Sequence, residues 1–112
     1  MKAANTPGFR AGDWVIVSGQ TGRVGEKLVS EDFAGQFAQC LANVEAILTA
    51  QGLPRTSVAK VNIYLLRMGD REQMNGLYAN FFGDHLPART TVGVAELSRG
   101  ALVEVEAWAY AA

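Results

Sequence analysis

The sequence predicts an α+β fold, one mixed β-sheet with two helices on one of its faces. Three observations carry this. Strand-like stretches gather at both ends of the chain around only two helical ones, in the order strand, strand, helix, strand, helix, strand, strand. Each helical stretch carries a single apolar stripe and so has one face to bury. The last strand alternates: Val103, Val105 and Ala107 point one way, and Leu102, Glu104, Glu106 and Trp108 the other. Two helices can cover only one face of such a sheet. A water-facing second side would be polar throughout. Here Leu102 and Trp108 bracket two acids, so that face is expected to lie against another chain, with a wet pocket in it.

Composition narrows the function. The 112 residues suit one domain, residues 1–112, with one core, and 49% hydrophobic content argues against disorder. No apolar run reaches the roughly 18 residues that span a membrane. The first residues, Met1 to Asn5, lack the apolar core of a signal peptide. Cys40 is the one cysteine, so an internal disulfide is excluded and a cytoplasmic setting is the simpler expectation. A net charge of −1 gives no basic stripe for nucleic acid.

Taken in order, residues 1–8 read as an extended arm and Phe9 to Ala11 as a short strand. Gly12-Asp13 is a turn pair before the strand Trp14 to Ser18, whose continuous apolar character predicts burial on both faces. Gly19 to Glu26 reads as a loop. Ser30 is the expected N-cap of the first helix, with Phe33, Phe37, Cys40, Leu41, Val44, Ile47 and Leu48 as its stripe and Gly52 just past its end. Ser57 to Leu66 is a strand with Val61, Ile63 and Leu65 on one face. Asp70 and Gln73 form an expected capping box for the second helix, whose stripe is Met74, Leu77, Tyr78 and Phe81 and whose stop is Gly83. Pro87 then precedes the β-branched run Thr90, Thr91, Val92 and Val94. A polar turn, Glu96 to Gly100, leads into the last strand, so that Arg89 opens one strand and Glu104 and Glu106 sit within its expected neighbour.

Chemistry is sought there. A guanidinium at a strand start can grip a carboxylate through two parallel hydrogen bonds, although an arginine taken alone is usually a solvated charge. Glu104 and Glu106 are two residues apart on one face, about 6.5–7 Å between Cα atoms. Burial and like charge would make one of them a base, where a plain reading makes both a solvated strand face. Gly19, Gly22 and Gly25 match neither nucleotide fingerprint, and a surface loop is the plainer reading. His85 is the one histidine and reads as a loop or interface residue, and Cys40 as a small core residue.

At this point the residues show a family resemblance. Pro87-Ala88-Arg89, the Gly93-Val94-Ala95-x-Leu97 tail and Val103-Glu104-Val105-Glu106-Ala107 resemble the signature of the RidA (YjgF) family. Ser18-Gly19-Gln20, the helix Gln39 to Leu48 with Asn43, and Asn75-x-x-Tyr78-x-x-Phe81-Phe82 match as well, so the resemblance runs from Trp14 to Ala109. It implies a chorismate-mutase-like subunit in a homotrimer with a barrel-like centre and clefts between neighbouring subunits. It also implies cofactor-free, metal-free hydrolysis of enamines and imines of the 2-aminoacrylate/2-iminopropanoate type to 2-keto acids and ammonia. By the resemblance Arg89 would bind the substrate carboxylate. Glu104 would hold or activate the attacking water with help from the backbone carbonyl of Thr91, and Ser18, Gly19 and Asn75 would line the pocket. The implied partner is a small carboxylate-bearing imine or 2-keto acid, with no nucleic acid and no membrane. The chain also departs from the pattern. Asn5 falls near the tyrosine of the family's N-terminal arm, Thr90 and Thr91 stand where Ser or Ala and Cys are common, and the loop Gly83 to Leu86 is short. A second reading, favoured by the missing tyrosine, is a trimer that binds a 2-keto acid for regulation without turning it over. Ribonuclease activity fits an acidic chain poorly and ranks last.

Overall fold

In the computed structural model, which describes residues 5–111, the sheet is built around its last strand. The strands are β1 (Gly8–Ala11), β2 (Trp14–Thr21), β3 (Arg23–Val24), β4 (Lys27–Leu28), β5 (Val58–Leu65), β6 (Ala88–Gly93) and β7 (Val103–Tyr110), and the helices are α1 (Phe33–Ala50) and α2 (Arg71–Phe82). The main sheet runs β1-β2-β7-β5-β6, and β3 and β4 pair separately as a small hairpin. Only β5 and β6 are parallel within the main sheet, so the sheet is mixed as expected. A parallel pair cannot be closed by a tight turn, and α2 supplies the crossover between them.

The core confirms the expected inward residues. Val103, Val105, Ala107 and Ala109 of β7 are buried beside Val15 and Val17 of β2 and Val61, Ile63 and Leu65 of β5. α1 packs over β2 and β7 with Phe37, Cys40, Leu41, Val44 and Leu48, and Met74, Tyr78 and Phe82 seal α2. Phe82 thus joins a stripe expected to hold Leu77 and Phe81, which are only partly covered. Among the described residues no helix is long and apolar enough to cross a membrane.

Several expectations are corrected. Residues 1–4 of the expected arm lie outside the described residues, while Pro7 accepts from the Ser18 N–H at 2.8 Å. β2 is buried on one face only: Val15 and Val17 are inaccessible, whereas Trp14 is 39% exposed. The N-cap of helix α1 is Asp32, two residues after Ser30. Asp32, in extended conformation, accepts from the Gly35 N–H at 2.8 Å, and the Ser30 hydroxyl donates to the same carboxylate. Both bonds favour the ionised form and hold the Asp32 pKa below its ordinary value. Asp70 makes no capping bond, because it already has helical angles at the end of the single turn Met68–Asp70. Glycines end both helices as expected, Gly52 with φ +75° and Gly83 with φ +63°.

The segment expected to be a loop from Gly19 to Glu26 is mostly strand, and its glycines have separate structural reasons. Gly25 takes φ +62° at the β3–β4 turn. Gly22 lies against α1, where an added Cβ would stand 2.6 Å from both the Cα and the carbonyl oxygen of Gln36. Backbone cannot swing aside as a side chain can. Gly22→Ala is therefore expected to destabilise the fold by about 1–3 kcal/mol through overpacking. The measurement is a lower urea midpoint at unchanged slope. An unchanged midpoint would mean that Gly22 does not rest on the helix.

Candidate active site

Arg89 sits at the start of β6, the edge strand. Its register partner on β5 is Val61, a core residue, so Arg89 faces the helix layer. There its guanidinium carbon lies 4.8 Å from the centre of the Tyr78 ring on α2, a cation–π contact that aims the fork. Asn75, one helical turn before Tyr78, joins them with Leu86 and Pro87 around a cavity of about 390 Å³. Two of its lining residues carry buried polar atoms without a protein partner among the described residues, Asn75 Oδ1 and the Tyr78 hydroxyl, each open to a water or a ligand. Burial pushes the Tyr78 pKa up to about 12, against the opposing pull of Arg89, so the phenol stays a neutral donor.

Glu104 lies elsewhere. It is opposite Tyr64 on β5 and Thr21 on β2, on the face turned away from the helices. Gly19 packs beneath its side chain: a Cβ there would meet the Glu104 Cδ at 2.8 Å, so only glycine leaves the carboxylate its place. The pKa of Glu104 is raised, first by burial and then by the negative charge of Glu106. Glu106 is already engaged. It accepts from Asn62 Nδ2 at 2.9 Å and from the Tyr64 hydroxyl, and that bond leads the causes that push the Tyr64 pKa up to about 12. Glu104 makes no such bond among the described residues and is the carboxylate available to a water. Ser18, expected in the pocket, donates its hydroxyl to the Thr6 carbonyl at 2.6 Å and ties down the arm.

The expected site residues thus form two groups, Asn75, Arg89 and Thr91 on one face and Gly19 and Glu104 on the other. The expectation that Arg89 and the glutamates stand on neighbouring strands is overturned, because β5 separates β6 from β7. The polar stretch after β6 looks like a hairpin turn, yet β7 takes the centre because its four inward residues need cover from both sides. The face expected to meet another chain is open, with exposed aromatic residues beside the two acids. Phe9 is 59%, Trp108 43% and Tyr110 45% exposed, and Trp14 is the register partner of Tyr110.

Other expectations hold. His85 is a loop residue whose Nε2 donates to the Val58 carbonyl at 2.7 Å. Burial, with Glu104 adding to it, pushes the Cys40 thiol up to about 12, which leaves it a neutral core group. Tyr78 as the support of Arg89 was missed. Its signal was present in the sequence, three residues after Asn75 on the same helix face, but it was absorbed into the core stripe.

Comparison with known proteins settles the family. The family model for endoribonuclease L-PSP matches residues 2–111. The chain belongs to the endoribonuclease L-PSP (RidA/YjgF) family. A RutC family protein of Pyrococcus horikoshii is 40% identical over 105 residues, covering 91% of this chain and 82% of the relative. Another family member, the 2-iminobutanoate/2-iminopropanoate deaminase of Salmonella typhimurium, is 37% identical over 89% of this chain and 81% of its own. Among solved structures of the family, Escherichia coli TdcF with bound serine superposes with a TM-score of 0.92 at 28% identity, covering 100% of this chain and 91% of that one. The L-PSP/RidA fold accounts for the mixed sheet with two helices on one face.

Proposed function

We propose that this chain is a hydrolase of 2-imino acids of the 2-aminoacrylate/2-iminopropanoate type, working in clefts between the subunits of a homotrimer. The observation that carries the reading is the division of the site. A carboxylate grip with unsatisfied polar neighbours lies on one face, and a carboxylate of raised pKa lies on the other, so one copy cannot bring them together. A second copy seated on the open aromatic face would supply the missing half. The deaminase name of the Salmonella relative supports the same chemistry.

The steps need no group beyond the chain and a water. A protonated imine carbon is already electrophilic, so positioning and proton transfer suffice. Arg89 holds the substrate carboxylate and Asn75 lines its pocket. Glu104, with the backbone carbonyl of Thr91, orients a water and takes one of its protons as the oxygen bonds to the imine carbon. The C=N electron pair moves onto nitrogen, giving a carbinolamine. Glu104 returns the proton to that nitrogen and is ionised again, the C–N bond breaks with its electron pair leaving on ammonia, and Glu104 takes the hydroxyl proton as the 2-keto acid forms, passing it to the departing ammonia as ammonium.

The test generates 2-iminopropanoate with an amino-acid oxidase and traps the remainder with semicarbazide. Wild type is expected to remove the imine before it is trapped. Tight 2-keto acid binding without faster imine loss would instead establish the regulatory reading. The open face is tested separately. Trp108→Glu is expected to shift the protein from trimer to monomer in light scattering, because three charges cannot be buried cheaply in one interface. A trimer that survives this change would place the interface elsewhere.

A further inference from the structure

A second cavity, of about 650 Å³, lies at the free edge of β2 against α1. It opens along β2 beyond Val17, the last residue that β1 covers, and reaches α1 and the turn Ser98–Gly100. Gly19, Arg23, Asn43 and Arg99 are among its walls, and no acidic residue lines it among the described residues. Arg23 is only 9% exposed. Its Nη1 donates to Thr21 Oγ1 at 2.8 Å and its Nη2 to the carbonyls of Ser98 at 3.2 Å and Arg99 at 2.5 Å. Its Nε is buried without a partner. Among the described residues the ion pair formed is that of Arg55 with Glu45, so Arg23 has hydrogen bonds and no counter-charge. A buried charge in that state is costly unless something else balances it.

The same bonds hold an unusual turn. Arg99 has φ 45° and ψ 52°, a left-handed conformation that a residue with a Cβ adopts at a cost. Both carbonyls that accept from Arg23 Nη2 belong to this turn. Arg23 therefore fixes the strained segment that sets Arg99 at the cavity wall. Two cations then face one cavity with no anion between them. Thr21, which takes the Arg23 bond, is the register partner of Glu104. Gly19 lies under Glu104 and also lines the cavity.

We propose that Arg23 and Arg99 form an anion subsite beside Glu104, which takes the distal carboxylate of a dicarboxylic 2-imino acid. The inference rests on the imine-hydrolase reading above for the identity of the site. It adds a substrate class, with Arg89 of one copy on the α-carboxylate and this pair on the far one.

The test measures binding of the corresponding 2-keto acids to the assembled protein by calorimetry. 2-Oxoglutarate is the dicarboxylate probe and 2-oxobutanoate the monocarboxylate. Wild type is expected to bind 2-oxoglutarate about tenfold more tightly, the gain expected of a charge-assisted contact at a partly exposed site. Arg99→Gln is expected to remove most of that difference and to leave 2-oxobutanoate affinity unchanged. The Arg99 side chain is exposed and donates no hydrogen bond among the described residues, so this variant keeps the fold where Arg23→Gln puts the turn at risk. Equal affinities in wild type, or a difference that survives Arg99→Gln, would overturn the subsite even if 2-iminopropanoate is turned over. Binding of 2-oxoglutarate that excess 2-oxobutanoate cannot displace would also overturn it, by showing a separate effector site. A difference that closes in Arg99→Gln, in a protein that hydrolyses no imine, would keep the subsite and remove the hydrolase reading.

Discussion

Arg89→Ala is expected to abolish measurable 2-iminopropanoate hydrolysis while the oligomer stays intact. The side chain is half-buried and rests on the Tyr78 ring, and it makes no hydrogen bond among the described residues, so its loss removes little of the fold. Its loss removes a great deal of binding. Two parallel charge-assisted hydrogen bonds to a carboxylate contribute about 1.5–3 kcal/mol each, which corresponds to about 10²–10⁴ in kcat/KM. Arg89→Lys keeps the charge but not the planar fork and should fall between. A mixing experiment tests the division of the site directly. Arg89→Ala and Glu104→Gln chains, each inactive alone, are co-assembled in equal amounts. If a cleft takes Arg89 from one copy and Glu104 from its neighbour, about a quarter of the clefts in random trimers regain both groups. Activity should return to about that fraction of wild type. No recovery, with mixed trimers demonstrated, would mean that the two residues do not share a cleft.

How much of this was legible in the sequence depended on the distance over which each feature is decided. The stripes of α1 and the alternation of β7 are set within a few residues, and both came out as expected. So did the helix stops at Gly52 and Gly83, where positive φ selects glycine. Strand order was not legible. The stretch from Glu96 to Gly100 carries ordinary turn residues and gives no local sign that β7 passes β6 to pair with β5 and β2. What decides it is the burial of Val103, Val105, Ala107 and Ala109, which an edge position would leave half-covered. β6, with Thr90, Thr91 and Gly93, has less to bury and takes the edge. The candidate site follows the same rule. Arg89 and Glu104 could be named from their strands and from the family resemblance. That they face opposite sides of the sheet could not, because it depends on register against β5. Arg23 was hidden for a related reason: in sequence it is one residue of a glycine-rich loop, and its bonds reach across to residues 98 and 99.

Glu104→Gln is expected to make the protein more stable and nearly inactive. Burial and the charge of Glu106 raise the pKa of Glu104, so at a pH between the unfolded and the folded value the folded chain still holds a proton that the unfolded chain has released. Between the unfolded and the raised folded value, stability falls as pH rises, and the whole deficit is present above the folded value. A neutral amide of the same shape removes it. The urea midpoint of Glu104→Gln should therefore exceed wild type at pH 7, and the gap should close as pH falls to the ordinary range of a free glutamate. Catalysis moves the other way, since loss of a positioned general base costs about 10²–10⁴ in rate. The wild-type kcat/KM should fall on the acid side at a pH above the ordinary glutamate value. Glu106→Gln should move that limb to lower pH by removing one like charge. A less stable Glu104→Gln that kept its activity would make Glu104 a structural acceptor. The opposite pair of results would show a carboxylate kept ionised at a cost to the fold, which a strand whose Glu106 already satisfies Asn62 and Tyr64 has no structural reason to carry.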